Sequence, residues 1–126
     1  MLTAVQNELL TRIGPGTPCG ELMRRYWHPI AAVSELEGKW TRRVRLLGED
    51  LVLFRDKQGR MGLITEACPH RRASLALGIP TQDGIRCPYH GWEFGHGGQC
   101  LSQPNEPEKS AFKHKITTPA YSIEEM

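Results

Sequence analysis

"CPHRRASLALGIPTQDGIRCPYHGW", residues 68–92, gathers two cysteines and two histidines into two short clusters. Cys68-x-His70 comes first, and Cys87-x-x-His90 follows after sixteen intervening residues. Pro69 and Pro88 stand inside the pairs. Proline fixes φ and removes an N–H, so each loop is stiffened and its thiol and imidazole are held in one orientation. Apolar, strand-like segments ("MGLITEA" and "IRC") lead into the two pairs. That places both pairs at loop tips, where two loops can close on one metal centre from opposite sides.

Three chemistries fit four such residues. Two buried cysteines with incidental histidines is the plainest, but two matched clusters argue against it. A tetrahedral zinc site accepts two Cys and two His, usually with cysteine paired to cysteine and histidine to histidine. Here each loop supplies one of each. A two-iron, two-sulfide cluster needs two ligands per iron, so both cysteines can bind one iron and both histidines the other.

The rest of the chain limits the setting. It has 126 residues, enough for one domain with a small core. Thirteen Gly and nine Pro indicate many turns and short elements, the style of a small β-protein. A net charge of +2, with no basic run interleaved with aromatics, gives no reason to invoke nucleic acid. No apolar stretch approaches the roughly 20 residues that span a bilayer. "MLTAVQNELLTRIG" lacks the basic start and apolar block of a signal peptide. A cytoplasmic location is therefore the expectation, and four cysteines in a reducing compartment are ligands or free thiols before they are disulfides.

Leu2, Val5, Leu9, Leu10 and Ile13 recur at near-helical spacing and predict a short amphipathic helix. Thr17-Pro18 is an N-cap followed by proline at the first helical position, opening a second helix through Arg25. From Trp27 onward strands are predicted: "HPIAAV", "TRRVRLL", "LVLFRD" and "MGLITEA", then "IRC", "WEF" and "GQCL", with "GHGG" as a hairpin turn. Residues 102–119 are polar and proline-rich, a surface loop. Cys19 and Cys100 have no partner at ligand spacing and are expected to be free, mostly buried thiols. Of the other histidines, His28 is expected to pack or hydrogen-bond, His96 to sit solvated in its turn, and His114 to lie on the surface.

"CPHR" followed at this spacing by "CPYHGW" resembles the signature of Rieske [2Fe-2S] domains. "GPGTPCGELMRRYWHPIA", "FRDKQGRMGLITEACPHRRASL" and "YHGWEFGHGGQCLSQPNEPE" extend the resemblance to the N-terminal part of Rieske non-haem iron ring-hydroxylating oxygenases of the phthalate-dioxygenase-like group. The resemblance covers the chain from about Gly14 to its end. It implies an all-β, antiparallel Rieske β-sandwich with a small cluster-binding subdomain, loops near 66–94, and short N-terminal helices. Residues 1–26 would be a helical arm and 27–126 the Rieske domain, with its last strand missing and a sheet edge left unpaired.

In this reading Cys68, His70, Cys87 and His90 ligate one [2Fe-2S] cluster. Arg71, Tyr89 and Trp92 lie around it: Trp92 shields it from water, Tyr89 does the same or donates a hydrogen bond near a sulfur, and Arg71 with Arg72 is either solvated charge or a dock for an acidic partner surface or neighbouring subunit. Respiratory members carry an extra cysteine in each loop; the matching positions here are Ala73 and Tyr89. They also carry a serine where Trp92 stands. Fewer hydrogen bonds to sulfur predict a potential toward the lower end of the family's range.

The implied function is one-electron transfer as the electron-input domain of an aromatic-ring-hydroxylating oxygenase, with a stand-alone Rieske ferredoxin as the alternative. Partners would be a reductase or ferredoxin donor and the catalytic domain of the same or a neighbouring subunit in a trimer. No second group with two histidines and a carboxylate is evident, so the mononuclear Fe(II) of that family would belong to a catalytic domain outside these residues, and this segment alone would not turn over.

Overall fold

The structure is a computed structural model that describes residues 1–107 and 109–126. Among the described residues, eight strands form two four-stranded sheets. The first holds β1 (Thr41–Leu46), β2 (Glu49–Arg55), β3 (Met61–Thr65) and β8 (Ala120–Tyr121), in the order β1-β2-β3-β8. The second holds β4 (Ile79–Pro80), β5 (Gly84–Arg86), β6 (Glu93–Gly95) and β7 (Cys100–Ser102) in sequence order. The pairs β2–β3, β3–β8, β4–β5, β5–β6 and β6–β7 are antiparallel. The all-β antiparallel architecture expected from the sequence is the one observed.

The chain divides into two compact units, one of residues 1–30 with 45–49 and one of 31–44 with 50–126. In the first, α1 (Ala4–Thr11) starts at a capping box in which Thr3 and Gln6 exchange hydrogen bonds. Thr17 caps α2 (Pro18–Met23) with proline at its start, as predicted. Arg24 ties this unit together by donating to the carbonyls of Ile13, Gly20 and Leu47 and to the Glu49 carboxylate. No helix among the described residues is long and apolar enough to cross a membrane.

The second unit packs its main core between the two sheets. Val52 and Phe54 of β2 and Ile64 of β3 meet Ile85, Phe94 and Cys100 of the second sheet. Leu75, Cys68, Cys87 and Trp92 complete it from the loops. Alternation along the strands sends Leu51, Leu53 and Leu63, also buried, to the other face of the first sheet. Gly62 stands opposite Phe54 in the register, and a Cβ there would sit 2.4 Å from the Phe54 ring. The glycine thus makes room for the fully buried Phe54 ring.

The β2–β3 turn is organised by Asp56, which is fully buried. Its carboxylate accepts from the backbone N–H groups of Gln58 and Arg60 and from the Arg60 guanidinium at 2.8 Å. The same turn grips the β4–β5 turn of the other sheet. Lys57 N–H donates to the Thr81 carbonyl, and the Gln58 and Arg60 side chains donate to the Gln82 carbonyl and the Asp83 carboxylate.

Several local expectations are corrected. "HPIAAV" forms no strand: Val33–Leu36 is a turn of 3-10 helix. The Glu35 carboxylate accepts from Ala32 N–H and pairs with Arg42, curling a segment that composition marked as extended. α1 is shorter than predicted at both ends, and α2 stops at Met23 with Arg24 as its cap. The short strands β4 and β8 were not anticipated, and the 102–119 loop contains a 3-10 turn at Phe112–Lys115. His96 is not simply solvated: its ring lies 5.3 Å from Phe54, and its Nε2 is buried 3.3 Å from Asp56 without hydrogen-bond alignment.

Candidate metal centre

The two motifs form the same turn twice. In the first, Cys68 N–H donates to the Ala73 carbonyl and Arg72 N–H donates back to the Cys68 carbonyl. In the second, Cys87 N–H donates to the Trp92 carbonyl and Gly91 N–H to the Cys87 carbonyl. Each cysteine therefore donates to the fifth residue after it and accepts from the fourth. That fourth residue has positive φ in both: 61° at Arg72 and 76° at Gly91. Only glycine adopts this region without cost, so Arg72 is held there by its surroundings. A Cβ on Gly91 would also press on Pro104 at 3.2 Å.

The mouths of the loops are fastened alike. Beside the first, Glu66 accepts from Arg43 at 2.7 Å and from the Ser74 hydroxyl at 2.5 Å. Beside the second, Glu93 accepts from Arg86 at 2.8 Å and from the Thr81 hydroxyl at 2.7 Å. Neither glutamate stood out in the sequence. Glu66 precedes Cys68 by two residues, but Arg43 lies 23 residues earlier and no local pattern joins them.

The loops bring the four predicted residues together in two pairs, Cys68 with Cys87 and His70 with His90. Cys68 and Cys87 are 1% and 3% exposed, and both are free thiols. Burial pushes the Cys68 thiol up to about 11; backbone N–H groups of His70 and Arg71 aimed at its sulfur oppose this, and the adjoining Cys87 sulfur adds to it. The His70 and His90 rings are 4.7 Å apart. Burial, then the neighbouring His90 and Arg71, lower the His70 pKa, against an upward pull from Glu106. Neutral imidazole, the form that binds metals, is thereby favoured. His90 Nδ1 is buried with no hydrogen-bond partner.

The surrounding residues are placed as follows. Trp92 is 6% exposed and stacks on His70, while Tyr89 lies on His90 with ring centroids 3.8 Å apart and is 60% exposed. Arg71 is exposed, and its charge acts on His70. Cys100 is buried in the core and Cys19 half-buried in the other unit. His28 Nε2 donates to the Met23 carbonyl, and His114 is exposed.

Residues 26–121 match the Rieske [2Fe-2S] domain family. The chain belongs to that family. It is 54% identical to the oxygenase subunit of 5,5'-dehydrodivanillate O-demethylase of Sphingobium sp., over 98% of this chain and 30% of that protein. It is 44% identical to the phthalate 4,5-dioxygenase oxygenase subunit of Pseudomonas putida, over 99% of this chain and 29% of that one. Among solved structures, Pseudomonas putida CBB5 NdmA superposes with a TM-score of 0.71 at 32% identity, covering 84% of this chain and 33% of its own. The chain thus spans about 30% of the length of these curated relatives, and what it shares with them is the Rieske portion of oxygenase subunits.

A Rieske domain implies a [2Fe-2S] cluster, and the donor set fits one. Two buried sulfurs adjoin, two imidazoles face each other, and one buried ring nitrogen lacks a partner. Among the described residues no three His, Cys, Asp or Glu converge on a point for a single ion. Two ligands on each of two irons require no such convergence.

Proposed function

We propose that Cys68 and Cys87 ligate one iron and His70 and His90 the other, and that this Rieske domain is the electron-input part of a ring-hydroxylating oxygenase. The orphaned, buried Nδ1 of His90 carries the assignment. A buried polar atom without a partner is costly, and coordination supplies the missing partner. A bound cluster supplies a one-electron redox step.

The chain's own residues do the rest. Backbone N–H groups of His70 and Arg71 donate toward the Cys68 sulfur. Trp92 and the core exclude water on the cysteine side, while the partly buried histidines and the exposed Tyr89 are where a partner can approach. Residues 1–26 serve as an arm to the 27–126 domain. A reductase or ferredoxin would donate the electron, in the cytoplasm. The acceptor would be a mononuclear Fe(II) in a catalytic domain of the same or a neighbouring subunit of a trimer. The relatives named above act, by their names, as demethylase and dioxygenase subunits, and an aromatic substrate is the corresponding expectation here.

Visible absorption, acid-labile sulfide and the reduced-state electron paramagnetic resonance signal of the purified protein test the assignment. All three are expected, with a midpoint toward the lower end of the roughly −150 to +300 mV Rieske range. Colourless protein containing zinc and no sulfide overturns it.

A further inference from the structure

The two candidate histidine ligands are held in different ways. The His90 ring is covered by Tyr89, its own neighbour in sequence. The His70 ring is covered from across the site, by Trp92 of the other loop. The planes are 4° from parallel and the centroids 4.3 Å apart. Trp92 is itself fixed twice. Its carbonyl closes the second turn by accepting from Cys87 at 2.8 Å, and the Phe112 ring meets the indole edge-on at 6.2 Å. No hydrogen bond to the His70 ring occurs among the described residues, and the rings that touch it are Trp92 and His90.

We propose that Trp92, braced by Phe112, is a positioning residue that fixes the plane of the His70 imidazole from the opposite loop. A core-filling role accounts for the burial of the indole but not for its near-parallel alignment with an imidazole that is only partly buried. Aromatic stacking supplies that alignment, because offset parallel rings are a favoured geometry. The two loops are thereby coupled: His70 belongs to the first loop by chain and to the second by orientation. The inference rests on the assignment of His70 and His90 as ligands.

Electron–nuclear double resonance on the reduced protein, with nitrogen-15 in the histidines, reads the orientation of each ring through its nitrogen coupling. Wild-type protein should show two such couplings. Trp92→Leu should shift one and leave the other in place; Trp92→Phe, which keeps an aromatic face, should restore it. Tyr89→Leu should shift the other coupling instead. Phe112→Leu alters only the brace and should move the His70 coupling in the same direction as Trp92→Leu but by less. Loaded Trp92→Leu protein with both couplings at their wild-type values overturns the positioning role while leaving the ligands intact. If Trp92→Leu does not load, the Phe112→Leu couplings decide, and unchanged values there overturn the proposal. Wild-type protein with no nitrogen couplings removes the ligand assignment itself, and the positioning role with it.

Discussion

The first and second loops share a hydrogen-bonding plan but not a sequence. Both close from a cysteine to the fifth residue, and both need a left-handed backbone at the fourth. The second meets that need with Gly91, the first with Arg72. The histidine stands two residues after Cys68 but three after Cys87. The same turn therefore presents its imidazole one position apart, and the two rings meet at 61° and 4.7 Å instead of as equivalents. A repeated backbone is thus compatible with unequal side-chain duties, and support for one ring has passed to the other loop.

The largest test of this equivalence is removal of each thiol in turn. Cys68→Ser and Cys87→Ser should each abolish visible absorption and loosen the loops, because metal binding and folding are linked. Cys19→Ser and Cys100→Ser should leave the spectrum intact. A coloured Cys87→Ser protein breaks the comparison.

Next comes the clasp between the β2–β3 and β4–β5 turns. Burial raises the Asp56 pKa, but hydrogen bonds from Arg60 and Gln58 and the Arg60 charge outweigh it, leaving the carboxyl below its ordinary value. Arg60 and, across the core, His96 are the charged or titratable groups that face it. With the folded pKa depressed, its contribution is complete above the ordinary carboxylate range, near pH 4, and is lost as pH falls through the lower folded-state value. Asp56→Asn should cost about 2 kcal/mol at pH 7, and the deficit relative to wild type should shrink in acid. Urea unfolding across pH measures both.

Smaller effects separate the mouths. Glu93→Gln should cost about 1.5 kcal/mol, since Glu93 is buried where it meets Arg86 and Thr81. Glu66→Gln should cost less than about 1 kcal/mol, because its partner Arg43 is mostly exposed. The smallest contrast is at the left-handed position. Gly91→Ala should cost about 1 kcal/mol, whereas Arg72→Gly should stay within about 0.5 kcal/mol, relief of strain offsetting added chain entropy. Thermal melts of the four proteins rank them; an Arg72→Gly protein as unstable as Gly91→Ala would show that the first turn is held by the Arg72 side chain.

What was legible in the sequence was local. Cys68, His70, Cys87 and His90 stand at short fixed spacings, and Thr17-Pro18 marks a helix start within two residues. The central strands β2 and β3 were visible because apolar runs are bounded by turns. What was not legible depends on residues far apart. The face of His96 against Phe54 and Asp56 spans forty residues, and the stacking of Trp92 on His70 crosses two loops. "HPIAAV" misled because its composition suits a strand, while Glu35, just beyond it, captures the Ala32 amide and bends the chain.

Strands β3 and β5 both start at the joined turns around Asp56 and Asp83, and both run to a cysteine. Each of these strands therefore joins one of the paired turns to one of the two buried thiols. A substitution at Asp56 or Asp83 acts on the strands that carry Cys68 and Cys87 without touching either sulfur.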